Sequence, residues 1–175
     1  MRIRTLLIAA VICCSCGALR ANAQVTDDRE SLRGLKGVGL FLQMDKEEME
    51  RFGLSLSLIT TDVELRLRKA GIRVLEGKEA DDAKGWPHLV PYISIIDSGK
   101  GVTAYVIEVR MLETVYLKRY LDQSETAKPL CLTTWNNARE EGMVDSRAAR
   151  DVTRKALGDA LDKFINDYLA VNPKP

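Results

Sequence analysis

Leu89-Val90-Pro91-Tyr92-Ile93-Ser94-Ile95-Ile96-Asp97-Ser98-Gly99-Lys100-Gly101-Val102-Thr103-Ala104-Tyr105-Val106-Ile107-Glu108-Val109-Arg110-Met111-Leu112 decides the fold. Its two arms, Leu89 to Ile96 and Val102 to Leu112, are rich in the β-branched and aromatic side chains that suit a pleated surface. Asp97-Ser98-Gly99-Lys100-Gly101 between them supplies residues that reverse a chain. On the second arm Thr103, Tyr105, Ile107, Val109 and Met111 recur at every other position, while Glu108 and Arg110 point the opposite way. The stretch therefore predicts a β-hairpin with one core face.

Upstream of the hairpin, Lys36 to Gln43 alternates: Val38, Leu40 and Leu42 share one face and Gly37, Gly39 and Phe41 the other, which predicts a first strand. Its glycines leave room for a group to approach the backbone closely. Asp45 to Arg51 is charged and reads as a turn or short helix. Thr60 and Thr61 are candidate N-caps of a helix that runs to Ala70 and ends on Gly71. Ile59, Val63 and Leu67 form its buried stripe, with Asp62/Arg66 and Glu64/Arg68 as outward i,i+4 pairs. Ile72 to Glu76 predicts a second strand, and Gly77 to Gly85 a loop or single helical turn.

Downstream, Val115, Tyr116 and Leu117 prolong the extended pattern, Asp122 to Pro129 is a polar loop, and Leu130 to Trp135 predicts a fifth strand with a loop from there to Asp145. A long helix follows over Arg147 to Ala170, capped by Asp145 or Ser146 and stopped by Asn172-Pro173. Its stripe is Val152, Ala156, Ala160, Phe164 and Tyr168, broadened by Leu157, Leu161, Ile165 and Leu169, the pattern of a helix lying across a sheet. The expected fold class is α+β: a single mixed sheet of about five strands with two main helices packed on it, in the order β-α-β-β-β-β-α, forming one domain over 35–172.

The first 23 residues have a different composition. Arg2 and Arg4 precede an unbroken apolar run from Leu6 to Cys14, and Ala21-Asn22-Ala23 places small residues where a leader peptidase needs them. This predicts a signal peptide over 1–23, cleaved before Gln24, then a polar lead-in over 24–34. The run is about half of the ~20 residues that span a bilayer, so no transmembrane helix is expected in the mature chain. Cys16, preceded by Ser15, offers lipid anchoring as the minority alternative to a free periplasmic chain. Removing Arg2, Arg4 and Arg20 from the 26 basic residues leaves 23 against 25 acidic ones, a formal charge of −2. That balance argues against nucleic acid as a partner. One cysteine, Cys131, remains, so no internal disulfide can form.

The chemistry-bearing residues are sparse. His88 and Cys131 are the sole histidine and sole mature cysteine. Cys131 lies between Leu130 and Leu132, where a cysteine reads as a small core hydrophobe rather than a nucleophile. One His and one Cys cannot make a zinc site. Gly34-Leu35-Lys36-Gly37-Val38-Gly39 lacks the lysine-hydroxyl ending of a phosphate loop. The clusters Glu47, Glu48, Glu50 and Asp81, Asp82 match no calcium-loop spacing and read as solvated faces. Tyr116-Leu117-Lys118-Arg119-Tyr120 mixes aromatic and basic residues, and at this net charge reads as a polar strand end. No catalytic, cofactor or metal residue is assigned. Trp86, Tyr116 and Trp135 are the candidate partner surface, with core or rim packing as the favoured reading of the two tryptophans, which stand beside loop residues.

Val63-Glu64-Leu65-Arg66-Leu67-Arg68-Lys69-Ala70-Gly71-Ile72-Arg73-Val74-Leu75, a helix that turns on glycine into a strand, resembles the first helix and second strand of the amino-terminal domain of TolB and of CsgG-like envelope proteins. The element order is also similar to that of other exported bacterial α+β proteins. The resemblance implies an envelope-associated binding domain without catalysis. The expectation is an exported, periplasmic interaction domain with an envelope protein as partner, received at a sheet edge or in a groove between helix and sheet. The alternative is a small-ligand binder or hydrolase whose site is assembled from separate strands.

Overall fold

A computed structural model describes residues 28–117 and 128–173, apart from the side chain of Asn137. The expected signal peptide, Cys16, the first residues of the lead-in and most of the loop Asp122 to Pro129 lie outside the described residues. The chain is α+β with one mixed five-stranded sheet.

The hairpin forms as predicted. Strand β3 (His88–Asp97) pairs antiparallel with β4 (Val102–Val115), Ile93 opposite Ile107 and Leu89 opposite Met111. Thr103, Ile107, Val109 and Met111 are buried on the predicted core face. Ahead of β3 come β1 (Gly39–Leu40) and β2 (Gln43–Met44), both parallel to it. Gly39 faces His88, Leu40 faces Leu89, Gln43 faces Tyr92 and Met44 faces Ile93, so the two short strands hold one register, the predicted first strand displaced toward Met44.

Beyond β4 the structure corrects the reading. Strand β5 does not end at Trp135 but runs from Leu130 to Asp145, pairing along β4 with irregular register opposite Val109, Met111 and Leu112. The polar residues taken for a loop are the charged side chains of a sheet-edge strand, where Arg139, Glu140 and Glu141 can reach water.

Helix α1 (Lys46–Arg51) is capped by Asp45, whose carboxylate accepts from the Glu48 amide. Helix α2 begins four residues before Thr60: it spans Leu56–Ala70 with Ser55 as N-cap. Thr60 and Thr61 sit inside it, their hydroxyls donating back to the Leu56 and Ser57 carbonyls. Gly71 ends it with φ +80° as predicted, and Ile59, Val63 and Leu67 are fully buried. A single turn, α3 (Lys78–Asp81), follows.

Helix α4 (Ala149–Val171) lies across β4 and β5 and buries most of its predicted stripe, with Val152 and Leu169 partly covered. Asp145 ends β5 and Ser146 lies in the turn after it, neither capping α4: the Arg147 amide donates to the Asp145 carboxylate, and Ser146 bonds the Thr103 hydroxyl. Of the two predicted pairs on α2, Glu64–Arg68 forms at 3.2 Å. Asp62 and Arg66 instead reach across to α4, where Arg154 holds Asp62 and Asp162 holds Arg66. The partners were invisible locally because they lie 92 and 96 residues away.

Residues 28–34 are docked rather than trailing. A 3-10 turn at Asp28–Leu32 buries Leu32 in the core, and Asn172 donates to the Leu32 carbonyl while accepting from the Gly34 amide. Tyr168 donates to the Leu35 carbonyl at 2.7 Å. Burial pushes its phenol above the ordinary tyrosine value. The folded state therefore favours the protonated ring, a contribution complete below about pH 10 and lost as pH rises through the folded value. Tyr168→Phe is expected to cost about 1 kcal/mol near neutrality and to flatten the alkaline decline. Urea midpoints at pH 8 and pH 11 check this, and parallel declines in both proteins would contradict it.

Candidate functional site

The predicted strand Ile72 to Glu76 does not form, and its failure creates the most distinctive feature of the surface. One parallel bridge joins Val38 to Val74: the Val38 amide donates to the Arg73 carbonyl and the Leu75 amide to the Val38 carbonyl. Gly77 then adopts φ +50° and α3 leads the chain away. The Gly39 and Phe41 amides donate to the Pro87 and Leu89 carbonyls of the β3 side. By strand alternation the Leu40 and Leu42 amides face outward. Neither donates to the Leu75 or Gly77 carbonyl to continue the bridge at Val38. The sheet is split open along this rim.

A groove of about 430 Å³ fills the split. Leu40 and Leu42 form one wall, Leu56, Thr60 and Glu64 of α2 a second, and Val74 to Gly77 with Ala80 and Asp81 a third. Phe41 is 57% exposed and Leu56 44% exposed, so apolar surface borders the outward amides. Its carboxylates are Glu64, Glu76 and Asp81, and it holds no lysine or arginine. Arg68, outside the lining, pairs with both glutamates, and Asp81 makes no ion pair among the described residues.

His88 closes the inner end. It is 7% exposed, its ring stacks on Trp86 at 3.8 Å between centroids, and its Nδ1 lies 3.2 Å from the Trp86 carbonyl. Trp86 holds φ +49°, the one positive φ outside glycine among the described residues, which folds its ring back onto the histidine. Gly39 admits this arrangement: a Cβ there would stand 2.6 Å from His88 Nε2. The close approach expected of the strand glycines is thus made by a side chain of the protein itself.

The candidate partner aromatics separate. Trp135 is completely buried against Phe164, its indole N–H donating to Asp167, and so belongs to the core and not to a surface. Trp86 is half-buried behind His88. Tyr116 is exposed just past β4, at the sheet end where the Thr114 amide donates to the Gly85 carbonyl. Cys131 is exposed on β5, contrary to the core expectation, and β4 lies between it and His88 on β3. Phe41 and Leu56 were overlooked. The available signal was Phe41 itself, a large apolar side chain on a face otherwise occupied by glycine.

Two other hollows are present. One of about 680 Å³ is lined by Arg33, Lys36, Arg73, Asp82, Lys84 and Glu113 among others. Many of its charges are engaged: Arg73 with Glu79, Asp82 with Lys78, and Glu113 with the Thr134 hydroxyl. The other, about 590 Å³ between α2 and α4, carries the Asp62–Arg154 and Arg66–Asp162 pairs. Among the described residues no group of three or more metal-ligating side chains comes together, and no helix is long and apolar enough to cross a membrane. Compared with known proteins, the chain matches no family model, no curated sequence and no solved structure.

Proposed function

We propose that this domain is an exported, envelope-associated binding module that accepts an extended segment of a partner protein at the split rim of its sheet. The carrying observation is the pair of outward amides at Leu40 and Leu42 beside an apolar groove. An extended peptide satisfies such amides through its own carbonyls, each bond contributing about 0.5–1.5 kcal/mol net, while alternate side chains enter the groove. From Leu40 to Met44 the rim runs about 13 Å, enough to face four or five residues of an extended segment. The apolar run Leu6 to Cys14 and the small residues Ala21 and Ala23 support the exported address.

The test places a photocrosslinking residue at Phe41, at Leu56 or, as a control, at Ile96 in the tagged protein expressed in a bacterial host. One envelope protein captured from Phe41 and Leu56 but not from Ile96, and lost when Leu42→Pro removes an outward donor, is the expected result. Equal capture from all three positions, or capture indifferent to Leu42→Pro, would overturn the reading. The mass of the mature chain checks the address, with a start at Gln24 expected.

A further inference from the structure

Resting on the reading of the split rim as a strand-accepting site, we infer that the accepted segment alternates apolar with basic residues. The groove sets both halves of that code. Leu40, Leu42, Leu56 and Val74 offer apolar surface, and an extended segment sends every other side chain toward them. The side chains between meet Glu64, Glu76 and Asp81, and the lining holds no lysine or arginine. Arg68 offsets part of that charge by pairing with Glu64 and Glu76, and Asp81 makes no ion pair among the described residues. An acidic segment would bring like charges together in a cleft partly screened from water, and a basic one would find counter-ions already placed.

Two dye-labelled, end-blocked peptides of about seven residues, long enough to cover the rim, test this with the whole mature protein by fluorescence anisotropy. One alternates valine with lysine and the other valine with glutamate. The lysine peptide is expected to bind about ten-fold more tightly at low salt, and the preference is expected to shrink in 0.5 M salt as screening shortens to a few ångströms, ~4 Å. Glu76→Lys combined with Asp81→Lys should reverse the order. Leu42→Pro should abolish binding of both peptides, and Leu56→Glu provides the second disruption if the proline variant does not fold.

Equal binding of the two peptides, or tighter binding of the glutamate peptide, with loss in Leu42→Pro would remove the charge code and leave the strand-accepting site standing. Binding of neither would remove the site and the code together. A dimer of the protein alone that Leu42→Pro returns to monomer would make the occupant a second copy and overturn the inference.

Discussion

Trp135→Ala is expected to lower the free energy of unfolding by about 3–5 kcal/mol, a large fraction of what holds a domain of this size together. Trp135 is fully buried on β5 opposite Met111, and Phe164 of α4 meets it edge-on at 5.3 Å. Truncation opens a cavity between sheet and helix that close-packed neighbours can only partly fill. It also removes the indole donor at 3.1 Å from Asp167, leaving that carboxylate with Lys163 at 4.0 Å. Urea unfolding followed by far-ultraviolet circular dichroism measures the loss. Trp135→Phe keeps an aromatic body and loses the hydrogen bond, so it should recover at least half of the deficit. A deficit under 1 kcal/mol for the alanine variant would mean that the helix does not depend on this contact.

Gly39→Ala carries the second large effect. A methyl group 2.6 Å from Nε2 and 2.7 Å from Cδ2 of His88 cannot be accommodated without moving the imidazole. The ring is held by Trp86 on one side and is nearly excluded from solvent, so its retreat also disturbs a tryptophan already at φ +49°. The expected cost is about 1–3 kcal/mol from overpacking. His88→Ala should open the space, making the double variant less destabilised than the two single losses added together. Strict additivity in urea unfolding would show that the imidazole is not what excludes a side chain at position 39. Because β1 forms the wall of the groove, Gly39→Ala should also weaken peptide binding by more than its effect on stability accounts for.

Much of the layout was legible because its signals are local. The stripe of α4 repeats over about four to five turns, and the hairpin announces itself through alternation and through Ser98-Gly99-Lys100-Gly101. What failed depended on residues distant in the chain. The charged stretch after Trp135 becomes strand only because β4 supplies the pairing, Thr103 opposite Val144 and Ile107 opposite Glu140. Ile72 to Glu76 has strand composition, yet the turn at Gly77 carries it off after one bridge. Ser55 was missed as the cap because Leu56 and Leu58 interrupt the expected polar entry, and Thr60 and Thr61 suit either a cap or a back-bonded interior. Cys131 looked buried from its leucine neighbours, but Leu130 and Leu132 are themselves 39% and 45% exposed on the outermost strand. The groove was not readable at all, since it is the space left by a pairing that the sequence invites and the backbone declines.

The two rims of the sheet are unlike. On the far side β5 presents Arg139, Glu140 and Glu141, with a register irregularity between Thr133 and Ala138, a border that discourages another strand. If the split rim takes up a strand as proposed, the β5 side offers no second berth, and the complex stops at one to one. In a crowded compartment, that asymmetry separates a reversible handshake from the start of a fibre.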